Sequence, residues 1–195
     1  MTICLYQGTF NPIHKIHLEI AQFAKKHYAF DKIIFIPAYI PPHKTLDKTL
    51  AKHRFNMVKL AIENIPFLNI SDIEYKPKGN SYTYNTVVKI KKDLKIDDKI
   101  NFIIGTDAFE KIETWYNTDK LKELVHFIIF PRTNNFNKSM FNHLQAKGYD
   151  FEFAPMQYKD VSSTEIRNNL KKGQSISNLE IPKVMEYIKK DELYL

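Results

Sequence analysis

The chain has 195 residues, 44% of them hydrophobic, 13% aromatic and 26% charged, with five glycines, nine prolines and one cysteine. A chain of that length is one domain on the usual prior and buries about 70% of its unfolded surface, so it needs no disulfide or structural metal to fold, and this composition excludes collagen-like, low-complexity and disordered classes. Lys and Arg number 29 against 22 Asp and Glu, a net charge of +7, which favours a polyphosphate, a nucleic acid or an anionic surface as partner without choosing among them.

The first apolar run, Ile3 to Tyr6, has strand length. Gly8-Thr9-Phe10-Asn11-Pro12-Ile13-His14-Lys15-Ile16-His17 follows, then an apolar stripe of Ile16, Ile20, Phe23, Ala24 and His27. That order predicts a strand, a tight turn and a helix start. Gly8 permits a close backbone approach, Asn11-Pro12 sets a turn, and the N–H groups of a helix start favour an anion. His14 and His17 stand at i and i+3 on one face of the first helical turn, where two imidazoles can grip phosphate oxygens. The same pair is compatible with a structural turn. It could also be half of a zinc site, but no cysteine cluster or HExxH pattern completes one, and no Gly-Lys-Ser/Thr follows to make a Walker A loop.

Further strand-length runs lie at Ile33 to Ile36, Leu68 to Ile73, Ile100 to Ile104, Val125 to Phe130 and Phe151 to Ala154, with helical patterns over about His53 to Asn64 and Tyr84 to Leu94. Several runs are apolar without alternation, as strands covered on both faces should be. The expectation is an α/β protein: a Rossmann-like open parallel sheet with helices on both faces, and ligands at the carboxyl ends of the strands. No internal repeat or linker is visible. Pro37 to Leu50, with Pro41-Pro42, reads as a binding loop and Thr133 to Ser139 as an irregular one. The pairs Lys25/Lys26, Lys91/Lys92, Lys171/Lys172 and Lys189/Lys190 are far apart and read as solvated helix faces rather than a nucleic-acid stripe. No apolar stretch approaches the roughly 18 residues of a membrane span, and the first seven residues lack the features of a signal peptide, so the expected setting is cytoplasmic.

Near the end, Val161-Ser162-Ser163-Thr164-Glu165-Ile166-Arg167 reads as another helix start, Ser162 being the N-cap and Glu165 completing a capping box. Ser163, Thr164 and Arg167 then share a face at the positive end of that helix, a second anion site. Ile166 and Leu170 would anchor the opposite face.

Together and in this order, the two motifs resemble those of the nucleotidyltransferase superfamily, whose first-strand turn carries a pattern like Gly-Thr-Phe-Asp/Asn-Pro-x-His-x-Gly-His and whose late helix carries one like Ser-Ser/Thr-Thr-x-Ile-Arg. The segments Pro41-Pro42-His43-Lys44, His53-Arg54, Ser81-Tyr82-Thr83, Gly105-Thr106-Asp107, Trp115-Tyr116 and Pro131-Arg132 extend the resemblance, over nearly the whole chain, to the bacterial nicotinate-nucleotide adenylyltransferases. There are departures. Ile16 and Gln7 stand where that family has glycine, Asn85 stands where Asp is common, and Asn11 is an accepted variant of the motif Asp.

The resemblance implies one nucleotidyltransferase domain over residues 1–195, with a C-terminal helical part from about residue 160 carrying the second phosphate motif. It implies adenylyl transfer from ATP to nicotinate mononucleotide, giving nicotinate adenine dinucleotide and pyrophosphate in NAD biosynthesis, with Mg²⁺ accompanying ATP and no resident metal. Partners would be these small molecules, not nucleic acid or a membrane, with a homo-oligomer left open. By the same resemblance His14, His17 and Arg167 are catalytic, and ATP is held by Gly8, Thr9, Phe10, His14, His17, Gly105, Asp107, Ser163, Thr164 and Arg167. The mononucleotide falls to Asn11, His43, Lys44, Thr83, Thr86, Trp115, Tyr116 and Arg132, with Trp115 stacked on the pyridine ring and the main-chain N–H groups of Thr86 and Tyr116 on its carboxylate. Arg54 is a further acceptor or loop contact. The attacking phosphate is already ionised, so neither a Ser or Cys nucleophile nor a general base is required. Two alternatives stay open: an adenylyltransferase for nicotinamide mononucleotide or phosphopantetheine, and a non-catalytic nucleotide- or RNA-binding module, which would leave the two motifs without a purpose.

Overall fold

Along β1 (Ile3–Gly8) the side chains alternate between two apolar clusters, Ile3 and Leu5 entering one and Cys4 and Tyr6 the other, so that a single strand is buried on both faces. The same division runs through β4 (Ile100–Gly105) and β5 (Val125–Phe130), where Phe102, Phe127 and Ile129 face one way and Ile103, Ile128 and Phe130 the other. Period-two placement of residues that are apolar throughout requires cover on both sides. β2 (Lys32–Pro37), β3 (Leu68–Ile70) and β6 (Phe151–Phe153) complete a six-stranded sheet of order β3-β2-β1-β4-β5-β6. Every pairing is parallel, with Leu5 registered between Ile34 and Phe102. The computed structural model describes residues 1–42, 50–77, 79–132, 136–157, 163–174 and 179–194.

Helices cover both faces, as expected of a Rossmann-like sheet. On one side α1 (Lys15–Tyr28), α2 (Leu50–Ile62), α7 (Ser163–Lys171) and α8 (Pro182–Lys190) deliver Ile16, Ile20, Met57, Val58, Ile166, Val184 and Ile188. On the other, α3 (Thr83–Leu94) and the short α4 (Thr106–Phe109), α5 (Thr118–Leu121) and α6 (Asn142–Ala146) deliver Val87, Ile90, Phe109, Leu121 and Leu144. The expected boundaries move by three residues in two places and by one or two elsewhere. The third strand ends at Ile70 rather than Ile73, because the chain turns where the Tyr75 N–H donates to the Asp72 carbonyl. The second helix begins at Leu50 rather than His53. Residues 43–49 and 133–135 of the two expected loops, and the expected N-cap Ser162, lie outside the described residues.

The lysine pairs fall into one pattern. Lys25/Lys26, Lys91/Lys92 and Lys189/Lys190 each occupy the last turn of a helix, and Lys171 ends α7. There a cation answers the exposed carbonyls at the negative end of the helix dipole.

Cys4 is fully buried in the central strand, and burial pushes its thiol far above the ordinary range. A thiol reagent at neutral pH should therefore label less than about a tenth of the protein in minutes when it is folded, and about one thiol per chain in denaturant. Rapid labelling of the folded protein would contradict the buried placement of β1.

Candidate active site

Where the strand order passes from β1 to β4, the connections leave on opposite faces and a crevice opens beyond the carboxyl ends of the strands. A cleft of about 550 Å³ lies there, lined by the turn after β1, the ends of β1 and β4, the starts of α3, α4 and α7, and the Trp115-Tyr116 segment. Among the described residues its lining has three cations, Lys111, Arg132 and Arg167, with one carboxylate, Asp107.

The turn after β1 is built around Phe10, a buried residue in left-handed backbone with φ 47°. Its ring lies edge-on to Tyr6 at 5.5 Å and to His17 at 5.0 Å, and a Cβ on Gly8 would come within 2.9 Å of it. Gly8 is thus needed for the Phe10 ring, a reason different from the close ligand approach expected of it. Arg54, fully buried on α2, donates to the carbonyls of Thr9 (2.9 Å), Ala38 (2.5 Å) and Tyr39 (2.9 Å). It faces inward, and one guanidinium joins the loops after β1 and β2.

His14 is the N-cap of α1, with extended backbone, and is 1% exposed. Its N–H donates to Nδ1 of His17 at 3.2 Å, and its carbonyl accepts the His17 N–H at 3.0 Å. A neutral His17 ring that accepts at Nδ1 carries its proton on Nε2. The two rings are 3.8 Å apart between centroids. Among the described residues Nδ1 of His14 has no partner. Burial first, and the charge of Arg132 second, lower the His14 pKa to about 3. Ile16, the departure from the family glycine, packs into the core and lines, with Phe130 and Arg132, a separate small recess, outside the cleft lining.

The second motif closes on the first. Ser163 Oγ donates to the Pro12 carbonyl at 3.0 Å, Arg167 Nη1 donates to the Asn11 carbonyl at 2.8 Å, and Arg167 Nη2 donates to Thr164 Oγ1 at 3.1 Å. The helix starts of α1 and α7 are thereby locked side by side, and both line the cleft.

At the end of β4, Arg132 lies 3.8 Å from Asp107 and is fixed by its N–H to Thr106 Oγ1 at 2.9 Å. A Cβ on Gly105 would sit 2.6 Å from Asp107 Oδ1 and 2.8 Å from Arg132 Nε, so only glycine admits this pair. The resemblance grouped Arg132 with the mononucleotide residues. In the structure it stands beside Gly105 and Asp107, which were grouped with ATP, in the same cleft lining as Trp115 and Tyr116.

On the opposite side, Thr83, Trp115 and Tyr116 line the cleft, with Tyr116 against Tyr82 at 4.7 Å. Trp115 is half-buried and also packs on the second core cluster, so the core and ligand readings of this residue describe two parts of its surroundings. Thr86 is a correction. It does not line the cleft; its N–H goes to the Tyr82 carbonyl at 3.2 Å and its hydroxyl to Glu74 Oε1 at 2.7 Å. His43 and Lys44 lie outside the described residues. Sequence reasoning missed Lys111, which lines the cleft, and the buried Glu74 beneath it, which also accepts from Gln7 Nε2 at 2.5 Å. Burial pushes the Glu74 carboxyl upward, opposed by hydrogen bonds from Ser81, Thr86, the Tyr39 N–H and Gln7.

A parallel sheet of this order, with two helix starts locked together over a cationic cleft, defines a nucleotide-binding α/β protein built to hold phosphate chains. The chain belongs to the cytidylyltransferase-like family, whose pattern matches residues 5–169, and within it to the nicotinate-nucleotide adenylyltransferases. The probable nicotinate-nucleotide adenylyltransferase of Caldicellulosiruptor saccharolyticus is 37% identical over 198 residues, spanning 100% of this chain and 99% of that protein. The protein of the same description from Clostridium tetani is 40% identical over 195 residues, 97% of each. The fold is shared with the nicotinic acid mononucleotide adenylyltransferase of Plasmodium falciparum, solved in complex with NaAD, at a TM-score of 0.79 and 24% identity over 99% of this chain and 97% of that one. Among the described residues no helix is long and apolar enough to cross a membrane.

The low His14 pKa has a definite sign. Its folded value of about 3 lies below the ordinary 6.5, so the unfolded chain binds the extra proton in that window. The stability contributed by the neutral ring is complete above 6.5 and is lost as pH falls toward about 3. NMR titration of the free protein should show no His14 inflection between about pH 5 and 8; a midpoint near 6.5 would contradict the burial of that ring.

Proposed function

We propose that this protein transfers the adenylyl group of ATP to nicotinate mononucleotide, forming nicotinate adenine dinucleotide and pyrophosphate. The observation that carries this reading is the convergence of the His14/His17 turn and the Ser163/Thr164/Arg167 helix on one cleft whose other arm holds Trp115 and Tyr116. The first two are suited to a polyphosphate and the third to a flat aromatic ring.

In the reaction an oxygen of the mononucleotide phosphate attacks the α-phosphorus of ATP. The bond from that phosphorus to the bridging oxygen breaks, and pyrophosphate leaves with the electron pair. No proton has to move, so His14 and His17 serve as hydrogen-bond donors and not as bases. An approaching phosphate raises the pKa of such a ring, so the anion strengthens the donor it binds. Arg167 and Arg132 neutralise charge accumulating on the α-phosphate and the departing group. Ser163 contributes through its place at the start of α7, since its hydroxyl donates to Pro12. Thr83, Trp115 and Tyr116 receive the acceptor.

Mg²⁺ prefers oxygen ligands, keeps several waters and binds through one or two carboxylates together with phosphates. Asp107 is the carboxylate of the lining, and no group of three or more His, Cys, Asp or Glu among the described residues could hold a metal. A magnesium ion brought with ATP would find Asp107 as its carboxylate in this lining and would shield charge between the phosphates.

The test is pyrophosphate release from ATP and Mg²⁺ with nicotinate mononucleotide, nicotinamide mononucleotide, phosphopantetheine or no acceptor. The nicotinate form should exceed the others in kcat/KM by about 10²-fold or more, because a site that satisfies a carboxylate leaves its donors unpaired with another group. Preference for another acceptor would overturn the substrate assignment, and no release with any of them would overturn the reaction.

A further inference from the structure

The C-terminal segment reaches the active-site turn through one hydroxyl. Tyr194 Oη donates to Asn11 Oδ1 at 2.5 Å, across 183 residues of sequence. Asn11 is 5% exposed, lines the cleft and stands three residues before His14; its carbonyl is the acceptor for Arg167 at 2.8 Å. One residue of the turn is therefore held at its main chain by the second phosphate motif and at its side chain by Tyr194.

The Tyr194 ring packs against the core in which Leu193 is buried with Val184 and Ile188, but these apolar contacts do not by themselves call for a bond from its hydroxyl to Asn11. Yet the chain adopts left-handed backbone at two non-glycine residues, Glu192 (φ 49°) and Tyr194 (φ 65°), in bringing the hydroxyl back to the turn. Such backbone is costly for residues with a Cβ and persists where the surroundings enforce it. Burial keeps the Tyr194 hydroxyl protonated through the working pH range, although Arg54 and Arg167 nearby oppose that shift. An acceptor-only oxygen at Asn11 thus always meets a donor.

We infer that Tyr194 is a positioning residue for adenylyl transfer: its hydroxyl fixes the Asn11 side chain, and so holds the turn bearing His14 in register with Arg167 across the cleft. The inference rests on the adenylyltransferase reading and adds a residue that touches neither substrate. Without the hydroxyl the Asn11 side chain is free to rotate at the cleft wall, and the turn keeps only its main-chain ties to Ser163 and Arg167, so the spacing of the two phosphate-binding elements is held less tightly. Such loss falls mainly on the transition state, where spacing is most demanding.

The test is Tyr194→Phe, which keeps the ring and removes only the donor, alone and combined with Asn11→Ala or Trp115→Ala. For dinucleotide formation kcat should fall about tenfold, with KM for ATP and for the mononucleotide changed less than about threefold. In the Asn11→Ala background Tyr194→Phe should cause no further loss, whereas its effect should multiply with that of Trp115→Ala, on the far arm of the cleft. Unchanged kcat, or the same tenfold loss in the Asn11→Ala background, would overturn the inference. A readout independent of turnover is the His14 ring resonance. It should shift in Tyr194→Phe while that of His126, near the start of β5, stays in place. If the wild type forms no dinucleotide, the functional reading fails, and two unshifted resonances would overturn this inference separately.

Discussion

Two phosphate groups repel, and adenylyl transfer requires that one be pressed onto the other. At 4 Å two unit charges oppose each other by about 1 kcal/mol in water and by about 4 kcal/mol at the effective dielectric of a protein surface, so excluding water without supplying positive charge makes the encounter harder. Among the described residues the cleft supplies that charge in fixed form, as two helix starts and three cations, beside a His14 ring that burial holds neutral. Donors already in place need no reorganisation at the moment of reaction.

Fixity is what the surrounding structure provides. Buried Arg54 ties the loops after β1 and β2 through three carbonyls, an arrangement in which the protein's own oxygens replace the water lost by the guanidinium. On the other flank, α7 grips Pro12 and Asn11, and the Lys15 N–H donates to the Leu179 carbonyl at 3.0 Å. The central strand, buried on both faces, gives these contacts a rigid base, and Gly8 and Gly105 at the ends of β1 and β4 leave room for Phe10 and for the Arg132–Asp107 pair. Those glycines are needed by neighbouring side chains of the protein itself.

Much of this was legible in the sequence because it is local. Apolar runs without alternation marked the buried strands, and the spacing of His14 with His17, and of Ser163 with Arg167, marked the two helix starts. What was not legible is what depends on residues distant in the chain. Thr86 has the appearance of a site residue until the Tyr82 carbonyl takes its N–H and Glu74, 12 positions away, takes its hydroxyl. Arg54 reads as an acceptor or loop contact until its guanidinium is found on the carbonyl of Thr9, 45 positions away. Arg132 follows β5, and only the parallel register that sets Phe130 opposite Gly105 places it beside Asp107. Ile16 reads as bulk between the histidines, yet the helix turns it into the core. No local pattern announces Tyr194.

The central claim is that held charge, and no covalent attachment to the protein, carries the reaction. The most direct measurement is the stereochemical course at the α-phosphorus, followed with ATP made chiral there by sulfur substitution. A single in-line displacement by the mononucleotide phosphate gives inversion, the outcome this account predicts. Retention would require two displacements and an adenylylated side chain, and would contradict it.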